Sequence, residues 1–210
     1  MKQALVYKHE EKLNAISHAL GVALGIIGLF FLLHKNQNKT SYALFSILVY
    51  TFSIVLLYSA STLYHSVIEP RIKSRFRILD HISIYFLIAG TYTPVALITL
   101  INGNGWFIFG VVWIIVLLGT VLKLFFTGKF EVFSLVLYLT MGWLIIFDYT
   151  SLIEKSTGFG INLLMLGGLF YTVGIIFYSV RKIPYNHFIW HLFVLGGSIS
   201  HWCFIYVDVV

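Results

Sequence analysis

Apolar and polar positions alternate along this chain in long blocks rather than at the period of a soluble helix or strand. Seven apolar runs stand out, at approximately Ile16–Leu33, Tyr42–Tyr64, Ile82–Leu100, Trp106–Phe126, Phe130–Phe147, Ile161–Val180 and Phe188–Val207. Each is close to the roughly 20 residues that a helix needs to cross a bilayer. The third and fourth form one uncharged stretch from His81 to Leu122, divided by Asn102-Gly103-Asn104-Gly105. That stretch is too long for one span, and the Asn-Gly repeat is a strong turn signal. The pattern predicts an all-α integral membrane protein, a bundle of seven transmembrane helices forming a single domain over residues 1–210.

Composition agrees. Of the 210 residues, 59% are hydrophobic and 10% charged, against roughly 25% charged in soluble domains. The first apolar run is too long for a cleaved secretory signal and ends in Leu-Leu-His-Lys, so it reads as a retained span. Cys203 is the single cysteine, which excludes a disulfide within the chain.

The net charge of +6 invites a nucleic-acid reading until its distribution is examined. Lys2, Lys8 and Lys12, then Arg71, Lys73, Arg75 and Arg77, then Lys123 and Lys129, then Arg181 and Lys182 make eleven basic residues on one side of the bundle. Lys35, Lys39 and Lys155 are the three on the other. By the positive-inside rule this predicts a cytoplasmic N-terminus and an external C-terminus. The charge orients the chain in a membrane, and no nucleic-acid partner is expected.

Small residues and one proline mark places where helices depart from simple packing. Gly21-xxx-Gly25, Gly167-Gly168 and Gly196-Gly197 allow close helix contact. Pro94 removes a backbone donor from the third helix and predicts a kink there.

The chemistry concentrates in histidines. His187 and His191 are one helical turn apart at the start of the seventh run, a spacing that lets two imidazoles reach one ion. With the predicted topology, His65 at the end of the second helix lies at the same depth, and so does Asp80 at the start of the third. Ionisable groups inside a membrane are costly and mark function by default. Three histidines with an oxygen donor or water make a four-coordinate site with one open position, the pattern of a catalytic zinc centre. Imidazole suits several metals, so iron and manganese stay open beside zinc. The bland alternatives are headgroup-facing histidines and Asp80 as a helix cap. Ser61 shares a helix face with His65. His18 either caps the first helix or supports the site. His81 points about 100° away from Asp80, and His201 lies roughly 15 Å beyond His191, too far for the same ion. No His-Glu-xx-His, Gly-x-Ser-x-Gly or phosphate-binding glycine loop is present.

At these residues the sequence resembles the haemolysin III proteins of bacteria, within the progestin and adiponectin receptor superfamily. Glu11-Lys-Leu-Asn14-Ala-Ile-Ser17-His18 is similar to the first family motif. Ser61-Thr-Leu-Tyr-His65, continuing to Leu79-Asp80-His81 and Gly90-Thr-Tyr-Thr-Pro94, is similar to the second. His187-xxx-His191 with His201 is similar to the third. The resemblance implies seven helices, an internal N-terminus and zinc held by His65, His187 and His191, with Asp80 on the water at the ion and Ser61 beside it. It implies a multi-pass protein of the bacterial plasma membrane. It carries no hormone binding over, since the chain begins without the receptors' long N-terminal extension.

Three functions compete. The first is a zinc-dependent, ceramidase-like hydrolase of lipid amides or esters, with Asp80 and Ser61 catalytic and a substrate entering from the inner leaflet. The second is a sensor or scaffold of membrane composition with structural zinc. The third is a haemolytic or pore-forming protein, which should carry a polar stripe along several helices. Apart from the histidines the sequence has none.

Overall fold

In the computed structural model the chain is described over residues 2–180 and 182–210, with backbone alone for 2–6. Arg181, counted above among the basic residues, lies outside the described residues, as does the side chain of Lys2. The structure is helical. Its elements are α1 (Lys2–Lys35), α2 (Ala43–Ser66), α3 (Pro70–Pro94), α4 (Gly105–Phe126), α5 (Glu131–Gly142), α6 (Tyr149–Lys155), α7 (Gly158–Ser179) and α8 (Asn186–Phe204). Among the described residues, seven spans are long and apolar enough to cross a membrane, the fifth being α5 and α6 joined by the 3-10 turn Leu144–Asp148.

Two helices begin well before their apolar runs. The α1 helix already includes the polar segment around Glu11, so His18 sits in mid-helix and does not cap it. At α3 the start is set by Glu69, whose carboxylate accepts from the backbone N–H groups of Arg71 (3.0 Å) and Ile72 (2.7 Å). Pro70 follows at the first helical position, where its missing N–H costs nothing. Asp80 is therefore ten residues inside α3 rather than in its first turn, which removes the capping explanation for it.

Pro94 does disturb its helix. Beyond it the chain widens into a π-helical turn, Val95–Thr99, closed by Leu100 N–H donating to the Val95 carbonyl at 2.9 Å. The fifth span is interrupted as well. There the Tyr92 hydroxyl donates to the Gly142 carbonyl (2.8 Å) and accepts from Ile145 N–H (3.0 Å), so α3 supplies the hydrogen bonds that the break in the fifth span forfeits.

Packing runs in sequence order around most of the bundle. The α1 helix packs on α2, α2 on α3, α3 on α4, and α8 closes against α1 and α7. Gly21 and Gly25 let α1 approach α2, where an added Cβ would stand 2.5 Å from the Tyr58 ring and 2.7 Å from Ile54. Gly167 of α7 does the same against the ring of His201. Tyr50, Tyr58 and Tyr85 fill the centre with no exposed surface to speak of.

The face bearing the C-terminus is closed by lysines. Lys35 donates to the carbonyls of Tyr206 and Val207, and Lys39 to those of Asp208 (3.1 Å) and Val209 (3.2 Å). Lys155 donates to Thr99 at 2.9 Å. Each ammonium thus satisfies carbonyls left over where a helical segment ends. Asp208 accepts in turn from the backbone and hydroxyl of Thr157, the residue that caps α7.

Candidate metal centre

At the opposite face, α2 ends and α8 begins. His65 is the second-to-last residue of α2 and His187 the second of α8, with His191 one turn further in. The entry to α8 is fixed by Tyr185 in the left-handed region (φ 55°) and by the Asn186 amide donating to the Phe177 carbonyl at 2.9 Å. Ring centroids of His65, His187 and His191 stand 4.7–5.1 Å apart pairwise. One ligand atom from each lies within 4.8 Å of those of the other two, close enough for all three to hold one metal ion.

The outer nitrogens of two of these rings are held by α1. The Glu11 carboxylate lies 2.9 Å from His65 Nδ1. Its other oxygen pairs with Lys73 of α3, which also donates to the Tyr64 carbonyl at 3.1 Å. His191 Nδ1 faces the backbone carbonyl of Asn14 at 3.4 Å and the Ser17 hydroxyl at 3.5 Å. A neutral imidazole that donates through Nδ1 presents Nε2 as a bare acceptor. His65 Nε2 is buried and has no hydrogen-bond partner. A buried acceptor left unpaired is costly, and a metal ion would satisfy it. The donor set therefore fits a cation such as zinc, with three neutral imidazoles and carboxylate or carbonyl partners behind two of them.

A cavity of about 210 Å³ opens beside the histidines. Its wall along α7 runs from Tyr178 to Ile161, about 25 Å of helix at 1.5 Å per residue. Most of the lining is apolar: Leu, Ile, Val and aromatic side chains of α3, α5, α7 and α8. The polar end carries Ser61, Asp80, His18, His187 and His191. Asp80 lies outside the three-histidine group, with the His65 ring and the Ser61 hydroxyl as its polar neighbours. His18 stacks on His191, and both its ring nitrogens are buried without a partner.

His201 lines the same cavity farther along α8, its Nε2–H donating to the Leu164 carbonyl at 3.1 Å. His81 and Glu131 line the cavity too, with His81 Nδ1 3.8 Å from the Glu131 carboxylate.

Sequence reasoning missed two groups. Glu11 lay outside the predicted first helix, so its contact with His65 was hidden. The spacing of Glu11, Asn14 and His18, three and then four residues, is one stripe of a helix and was the available signal. Lys123 was counted only among the basic residues at one side of the bundle. It is fully buried and pairs with Glu131, whose other oxygen accepts from Gly128 N–H at 3.0 Å.

Comparison with known proteins is consistent with this geometry. Residues 6–202 match the family model described as Haemolysin-III related. The chain is 45% identical to the "Hemolysin-3" of Bacillus cereus over 199 residues, covering 94% of this chain and 91% of that one. It is 45% identical to the "Hemolysin-3 homolog" of Bacillus subtilis (strain 168), covering 91% and 90%. The human "Monocyte to macrophage differentiation factor" is 30% identical, covering 92% of this chain and 82% of its own length.

Proposed function

Starting from a chain that belongs to the haemolysin-III related family and is a multi-pass bacterial membrane protein, we propose that it is a zinc-dependent hydrolase of lipid amides or esters. The reading takes the N-terminus as cytoplasmic and the substrate as entering from the inner leaflet. One observation carries it. Two members of the three-histidine group, His187 and His191, line the polar end of a long apolar cavity, whose wall suits an acyl chain and not an aqueous path.

Zinc bound by His65, His187 and His191 would supply Lewis acidity toward a carbonyl and acidify water. The rest falls to the chain. The apolar walls from α3, α5, α7 and α8 hold the acyl chain and keep bulk water out. The Asp80 carboxylate orients the attacking water and takes its proton as general base. Asp80 then returns that proton to the leaving nitrogen or oxygen as the acyl bond breaks, giving a fatty acid and an amine or alcohol. Ser61 stands beside Asp80 with its buried hydroxyl unpaired, so it has a donor to offer the carboxylate or the substrate.

The test combines metal analysis of the purified protein with fatty-acid release from a panel of lipid amides and esters, before and after chelation. About one zinc per chain and release abolished by chelator are expected. A zinc-loaded protein that hydrolyses none of the panel overturns the hydrolase reading and leaves a metal-bearing membrane sensor.

A further inference from the structure

We infer that Glu11 is a positioning residue of the metal centre: its carboxylate orients His65 and fixes the tautomer in which Nε2 is the ligand atom. This rests on the reading of the three histidines as a metal site.

Glu11 has two oxygens with separate work. Oε1 lies 2.9 Å from His65 Nδ1, and Oε2 pairs with Lys73. The His65 side chain is 2% exposed and that of Glu11 17%, so the contact is shielded from bulk water. A carboxylate is acceptor-only when ionised, so the ring must donate to it through Nδ1. That leaves Nε2 without a proton. The same Nε2 is the buried atom with no partner in the protein. Two independent observations thus agree, one on each side of the ring: the outer nitrogen is held and the inner one is bare.

Lys73 adds stiffness. It reaches Glu11 from the first turn of α3 while donating to the Tyr64 carbonyl next to His65. Glu11 therefore ties three helices together at the ligand. On the neighbouring ring the Asn14 backbone carbonyl faces His191 Nδ1. Mutation cannot remove that carbonyl, and the Ser17 hydroxyl is more distant at 3.5 Å, so Glu11, at 2.9 Å from His65, is the outer contact whose removal should be felt most directly.

The experiment uses the full-length protein in detergent, titrated with Co²⁺ by visible absorption and with Zn²⁺ by competition. Outer partners of ligand histidines are worth roughly 10–100-fold in metal affinity. Glu11→Ala should weaken metal binding within that range, and Glu11→Gln by roughly tenfold, its low end. The cobalt bands at saturation should keep the wild-type shape, because no ligand is lost. In a His65→Ala background, Glu11→Ala should cause no further loss. Lys73→Met should weaken binding less than Glu11→Ala, since it leaves the oxygen on His65 in place.

Wild-type affinity in Glu11→Ala and Glu11→Gln overturns the inference while leaving the metal site intact. An equal loss with and without His65 also overturns it, because the effect would then act through the fold. Altered cobalt bands in Glu11→Gln overturn it by making Glu11 a ligand. The glutamine variant is isosteric and covers an alanine variant that fails to fold. A wild-type protein that takes up neither metal removes the site itself, and with it this role for Glu11.

Discussion

Lys123 Nζ lies 3.0 Å from Glu131 Oε2, with the lysine side chain wholly removed from the surface. Burying an ammonium is tolerable only when it is paired, and removing the partner strands it. The Glu131 side chain is 32% exposed, so Glu131→Gln should destabilise by less than the roughly 3 kcal/mol of breaking a fully buried pair. The double variant Lys123→Met/Glu131→Leu should recover most of that loss. Thermal unfolding in detergent checks both. Equal stability of Glu131→Gln and wild type would show that Lys123 finds another partner.

The three ligands should behave alike. His65→Ala, His187→Ala and His191→Ala are each expected to lose stoichiometric metal, measured by elemental analysis of purified protein. His201→Ala should retain it, because that ring donates to Leu164 and is roughly 15 Å along α8 from His191. Metal loss in His201→Ala at unchanged stability would contradict this arrangement.

Asp80 separates holding a metal from using it. It is outside the ligand group yet lines the cavity beside it. Asp80→Asn should keep the metal and lower lipid hydrolysis by roughly 10²–10⁴-fold, the span of a positioned acid–base group. Zinc content and turnover are to be read from one preparation. Loss of zinc would make Asp80 a ligand, and wild-type turnover would take it out of the mechanism.

The break in the fifth span offers a test of backbone satisfaction. Tyr92→Phe leaves the Gly142 carbonyl and Ile145 N–H without their shared partner. A loss of about 1–3 kcal/mol is expected for a buried group left unpaired. Unfolding temperature reports it, and an unchanged value would mean the broken segment rearranges to pair itself.

The basic residues predict an orientation that can be measured. A reporter fused at the C-terminus that is active only outside the cytoplasm should be active, and one restricted to the cytoplasm silent. The reverse result would invert the bundle.

How much of this was legible depended on what each residue faces. Hydropathy found all seven spans, because lipid-facing length is what it measures. It missed the starts of α1 and α3, since a helix that projects past the apolar layer carries charges such as Glu11 and Lys73. It read the fifth span as continuous because Gly142 and Trp143 are as apolar as their neighbours, while the hydrogen bonds that permit the break come from Tyr92 on another helix. The histidine trio was legible from spacing plus topology. Its supporting layer was not, because a carboxylate in a polar N-terminal segment looks like any solvated charge until the helix carries it to His65. Lys123 shows the same blindness in reverse: charge counting placed it at the right end of the bundle, but only packing shows that it is neutralised there.

Lys35, Lys39 and Lys155 have a double life. While the chain is being inserted in the proposed orientation, they are the charges that argue against it, since each must be carried through the bilayer. Once across, they become the donors that finish the turn following α8 and the end of the third span. The signal for insertion and the hydrogen bonding of the folded state thus make opposite demands on the same three side chains. A variant with all three replaced by methionine would cross more readily and arrive with its helix ends unfinished.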